Sequence, residues 1–226
     1  MRKTLTKLFP FGSRATLPLW LKLVALLFLC IFVSYSWKNY GLQNFLWFSC
    51  LGVILSVTAL WLENRLLASM MLLSTFIADE IGWGGDFVFR LIFGWNPYNA
   101  TNYMFDHRLS LFGRAISLYH FYIPILLVWM VYKLRYDTRA IVTQTLYAML
   151  VLFLSFTVTN PASNINWVFG VGPQPQTYVP TWLYLAGEMV FIPVVFYLPM
   201  HFLLKKLGWH LSKDTTELAR QAEPSS

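Results

Sequence analysis

Ionisable side chains of four kinds lie in or beside stretches of this sequence that are otherwise apolar. Asp79, Glu80 and Asp86 share one stretch, with Arg90 just beyond it. Arg114 and His120 share another, and Glu188 lies in a third. A charge in hydrocarbon costs roughly 2.5–3.5 kcal/mol on insertion scales, so such residues face a bundle interior, pair with one another or serve a site. Asp79, Trp83, Asp86 and Arg90 recur at helical spacing and fall on one helix face. Arg114, Ser117 and His120 step by three and trace a polar arc. Pro124 can free the carbonyl of His120.

Nucleophilic catalysis needs a nucleophile beside a base. Ser49 and Cys50 are the candidate nucleophiles and His120 the candidate base, with Asp79 or Glu188 orienting the imidazole. Arg114 could hold a phosphate or carboxylate headgroup. Ser117, Glu80, Asp86 and Arg90 are the further candidates for contact with a substrate. A last candidate is the uncharged loop that begins at Asn160 and carries Asn164, Asn166 and Trp167. Such a loop can close a mouth as a lid, or it can be an ordinary turn built from Asn, Pro and Gly. The charges can equally neutralise one another and do no more than fix helix order. For His120 alone, a neutral core histidine and a general base are equally good readings.

Six apolar runs must position these residues. They are Leu17–Trp37, Leu42–Leu62, Leu66–Asp86, Leu109–Tyr132, Ala140–Asn160 and Val179–Leu204. About 20 apolar residues suffice to cross a bilayer as a helix. The expected fold is therefore an all-α bundle of six transmembrane helices over residues 17–204. A basic segment precedes it over residues 1–16, and a tail follows over residues 205–226. Arg2, Lys3 and Lys7 before the first run resemble the start of a signal peptide. That run exceeds a usual signal core, so an uncleaved helix is expected. Rise per residue puts His120 about 17 Å, Glu188 about 13 Å and Asp79 about 10 Å in from the outer ends. Ser49 and Cys50 come out about 11–12 Å deep on the same measure.

Composition agrees with a membrane setting. Of 226 residues, 57% are apolar and only 12% are charged, half the charge of a usual soluble domain. The formal net charge is +7, and its distribution shows where it comes from. Arg2, Lys3, Lys7, Arg14, Arg65, Lys133, Arg135, Arg139 and four bases of the tail fall on one side. Lys38 and Arg108 fall on the other. That is the positive-inside pattern, with both termini cytoplasmic. No basic cluster is interleaved with aromatic residues on a soluble face, which argues against nucleic acid. Cys30 and Cys50 sit in apolar runs and form no disulfide framework. One deep histidine without a paired-ligand motif argues against a metal, and no cofactor is expected.

The stretches Asn102-Tyr103-Met104-Phe105-Asp106, Arg114 to His120 and Asn164 to Gly170 resemble a family of bacterial six-span membrane proteins of unassigned activity. The resemblance covers nearly the whole chain and implies a bacterial inner-membrane location. More remotely, the layout is similar to the androgen-induced-protein-like membrane hydrolases. Those carry a Thr nucleophile on the second span and a His on the fourth. That likeness implies His120 as the matching histidine, with Ser49 near the Thr position. Three functions are carried forward. One is a hydrolase or acyltransferase acting on a lipid-like or small amphipathic substrate. The second is a proton-coupled transporter, which at this length calls for a homo-oligomer. The third is a non-catalytic scaffold in the lipid bilayer.

Overall fold

Uncharged runs of Leu, Val, Ile and Phe become helices because an apolar surrounding offers backbone groups no partner but one another. The computed structural model describes residues 17–75, 82–97, 99–172 and 174–207, and regular structure among these is helical. In chain order the helices are α1 (Leu19–Tyr40), α2 (Phe48–Leu62), α3 (Arg65–Thr75) and α4 (Gly82–Phe93). They continue with α5 (Leu111–Leu134), α6 (Ala140–Val158) and α7 (Thr181–Leu207). Four of them, α1, α5, α6 and α7, are long and apolar enough to cross a membrane.

α3 is short but central. It packs against α2, α5 and α6, and seven of its residues, from Ala68 to Thr75, are buried. Gly52 on α2 permits this approach, since a Cβ there would lie 2.9 Å from Thr75 Cγ2. α7 packs on α6 along its first half and on α3 through a later turn. That turn, Pro193–Tyr197, is a π-helix. Pro193 and Pro199 remove backbone donors here, and the Leu198 N–H bonds the Pro193 carbonyl five residues back.

The second run departs from expectation, since it is not one helix over Leu42–Leu62. A 3-10 turn over Leu42–Leu46 comes first, Trp47 is extended, and α2 starts at Phe48. Asn166 explains the restart, because its Oδ1 accepts the Phe48 N–H at 2.9 Å. A side chain distant in sequence thus satisfies one of the orphan donors at a helix start. Ser49 and Cys50 therefore lie in the first turn of α2, not deep along a longer span. Of the third run, expected over Leu66–Asp86, the described residues hold α3 up to Thr75 and the start of α4 from Gly82. The Gly82-Trp83-Gly84-Gly85 stretch is helical despite its glycines. Glycine is a poor helix former, but Trp83 is fixed by rings on either side: it stacks on Phe87 at 5.3 Å and on His120 at 4.5 Å.

Polar contacts gather at the two ends. At one end Lys22 Nζ pairs with Glu63 Oε1 at 2.6 Å, and the Leu17 N–H donates to the same oxygen. Arg65 Nη2 donates to the Tyr136 carbonyl at 2.6 Å, and the Tyr136 hydroxyl meets His201 Nδ1 at 2.7 Å. At the opposite end Gln43 bonds Ser163, and Asn166 bonds the Leu46 carbonyl. Tyr35 there packs edge-on to Phe112.

Candidate functional site

The gap between α7 and the start of α2 is a cavity of about 590 Å³. Ligand sites are usually of this size and mostly apolar. α2 contributes Phe48 and Ser49, the end of α3 contributes Ser74, and the loop after α6 contributes Asn166 and Trp167. α7 contributes one face, including Tyr184, Gly187, Glu188 and Phe191. Ser49, Glu188, Asn166 and Trp167 were expected from the sequence, and they share this cavity. Glu188 Oε2 is buried and accepts no hydrogen bond from the described residues. Gly187 beside it leaves room, since a Cβ there would meet nothing within 4 Å.

The loop is pinned rather than hinged. Asn164 Oδ1 accepts the Phe169 N–H, while its Nδ2 donates to the carbonyls of Gly170 and Gly172. Asn166 Nδ2 donates to the Leu46 carbonyl at 2.7 Å and to Ser155 Oγ at 3.0 Å. Asn164, Asn166 and Trp167 all have positive φ. Asn tolerates that conformation but Trp does so rarely. These bonds hold Trp167 against the cavity despite its backbone cost.

His120 lies elsewhere. It is buried, stacks on Trp83 with the rings 13° apart, and does not line the cavity. Trp83 Nε1 donates to the Tyr103 hydroxyl at 2.9 Å. On the same face of α4, Asp86 is wholly buried. Its Oδ2 accepts from Asn96 Nδ2 at 2.8 Å, the Thr101 N–H at 2.9 Å and Thr101 Oγ1 at 2.7 Å. These bonds fold the segment after α4 back onto it. Arg90 sits over the Phe105 ring at 5.2 Å rather than against Asp86.

Arg114 Nη2 donates to the Asp106 carbonyl at 2.6 Å, and its buried Nε has no partner. Ser117 bonds back to the Gly113 carbonyl within its own helix. Cys50 is buried and accepts from Asn44 Nδ2 at 3.5 Å. Asp79 and Glu80 lie outside the described residues. The sequence-based reading passed over Ser74, Tyr184 and Tyr197, which also line the cavity. A signal for Tyr184 was present: Tyr184, Glu188 and Phe191 are spaced four and three apart on one helix face.

Two carboxylates in the connecting turns are perturbed. Hydrogen bonds from Arg108 hold Asp106 at about 2, below its ordinary 3.8. Hydrogen bonding to Arg139 likewise lowers Asp137. No family model, curated protein or solved structure matches the chain.

Proposed function

We propose that this is a six-span integral membrane protein, with both termini cytoplasmic, that binds a lipid-like molecule in the Glu188 cavity. The observation that carries the binding role is the cavity itself: about 590 Å³, mainly apolar walls, and one carboxylate oxygen buried without a donor. Counting α2 and α3 as crossings is supported by their ends. Phe48 is tied to the loop after α6, whereas Arg65 is tied to the turn after α5. The end that gathers Lys22, Arg65 and Arg139 is the basic one, which supports placing it in the cytoplasm.

Hydrolysis or acyl transfer on the bound molecule is a second reading, favoured by one observation: Ser49 and Glu188 line the same cavity. His120 does not line it, so the expected serine–histidine pair lacks support and binding is the primary function.

The test is photolabelling of protein in phosphatidylcholine nanodiscs with an uncharged diazirine-bearing long-chain alcohol. Labelled peptides should come from α7 and the start of α2. Gly187→Phe, which fills open space and removes a helix-weakening glycine, should abolish that labelling without lowering thermal stability. Equal labelling of Gly187→Phe would refute the cavity as the site. For topology, cysteines introduced at Thr138 and Gln174 should react with impermeant maleimide from opposite sides of the membrane.

A further inference from the structure

The cavity's own chemistry narrows the headgroup of its ligand, a step that rests on the binding role just proposed. Glu188 lies on α7 about 10 Å in from Thr181 by helical rise. Its buried Oε2 lacks a donor, and a buried acceptor left unpaired is costly. Among the described residues lining the cavity there is no Lys, Arg or His. An anionic headgroup would meet Glu188 and find no base to offset it. Much of the remaining wall is aromatic, including Trp47, Phe48, Trp167, Tyr184 and Phe191. Aromatic faces attract cations.

We infer that the cavity recognises a protonated amine carried on a long apolar chain. The ammonium pairs with the Glu188 carboxylate, donating an N–H to it, and packs against the aromatic rings, while the chain runs along Leu183 and Ile192. A quaternary ammonium satisfies the rings but has no N–H to donate, so it binds less well. The same headgroup chemistry occurs in a bilayer aminophospholipid and in a free long-chain amine.

The experiment compares diazirine probes of one chain length that end in a primary ammonium, a trimethylammonium, a hydroxyl or a carboxylate. A fifth probe is phosphatidylethanolamine carrying the same diazirine. The primary ammonium should label best and the carboxylate least. Glu188→Gln should lower ammonium labelling about tenfold or more, and Glu188→Asp should keep the order of preference. Thermal unfolding of each variant checks the fold. Labelling by phosphatidylethanolamine identifies the bilayer as the source. Labelling by the free amine alone identifies a soluble amphiphile. The amine inference is overturned if hydroxyl or carboxylate probes label equally, or if Glu188→Gln leaves ammonium labelling unchanged. If those results occur while Gly187→Phe still blocks all probes, the cavity survives and only its headgroup assignment falls. If Gly187→Phe blocks none of them, the cavity itself is refuted.

Discussion

Asp86→Ala should destabilise the protein by removing the acceptor that holds residues 96–101 against α4. The cost follows from counting what each donor loses. Asn96 Nδ2 keeps an acceptor, because it also bonds Thr101 Oγ1 at 2.6 Å. The Thr101 N–H and hydroxyl both lose the carboxylate, and Thr101 is wholly buried. Two buried donors left unpaired cost about 1–3 kcal/mol each, so roughly 4 kcal/mol is expected. For a chain of this length that lowers the midpoint of thermal unfolding by about 10 °C. Asp86→Asn can offer its amide oxygen to the same donors. It loses only the charge assistance, about half of the bond strength, or roughly 2 kcal/mol. The assay is thermal unfolding in detergent, paired with hydrogen exchange at the Thr101 amide. That amide should lose protection in Asp86→Ala and retain most of it in Asp86→Asn. Equal losses in the two variants would refute the bond-by-bond reasoning, as would an Asp86→Ala protein of parental stability with Thr101 still protected.

Asn166→Ala should cost about 2–4 kcal/mol, because the Phe48 N–H, the Leu46 carbonyl and the Ser155 hydroxyl lose a partner together; chemical denaturation measures it. Gly113→Ala should cost about 1–3 kcal/mol, since a Cβ there collides with the Tyr35 hydroxyl and comes within 2.9 Å of Leu109 Cδ1. Tyr35→Phe should recover part of that loss in a double-mutant cycle. For Asp106 and Asp137 the folded pKa is lowered, so their contribution to order is complete above the unfolded value. It is lost as pH falls through the folded one. For Asp106 the window runs from 3.8 down to about 2. Carboxyl NMR should show Arg108→Gln moving the Asp106 titration up toward 3.8.

Much of the helical frame was legible because length and apolarity are one-dimensional properties. Runs expected at Leu17–Trp37, Leu109–Tyr132, Ala140–Asn160 and Val179–Leu204 correspond to α1, α5, α6 and α7, with ends shifted by a few residues. The start of α2 was not legible. Leu42 to Leu62 carries no charge, and no Pro, Gly or charged residue at Trp47 marks it as a boundary. The capping group comes from Asn166, and only the folded chain brings it to Phe48. α4 shows the opposite balance. Its glycines are a local signal, and the ring stacking that overrides them is tertiary.

The site divides along the same line. Burial of polar groups could be inferred from their cost in an apolar run, and Asp86 and His120 are indeed buried. What each does depends on whether a partner is already supplied. Asp86 Oδ2 has three donors, and both Asn164 and Asn166 are engaged at oxygen and nitrogen. These polar groups are held by neutral donors and acceptors of the chain rather than by opposite charges. Glu188 instead lines a volume that the chain does not fill, and its buried Oε2 has no donor among the described residues. Depth along a span grouped Glu188 with His120, but α7 and α5 lead these two faces into different neighbourhoods. Azimuth around the bundle, which depth does not encode, is what separates a carboxylate that lines the cavity from a histidine that does not. Function is therefore best sought where a buried polar atom and unfilled space coincide, and here they coincide at Glu188.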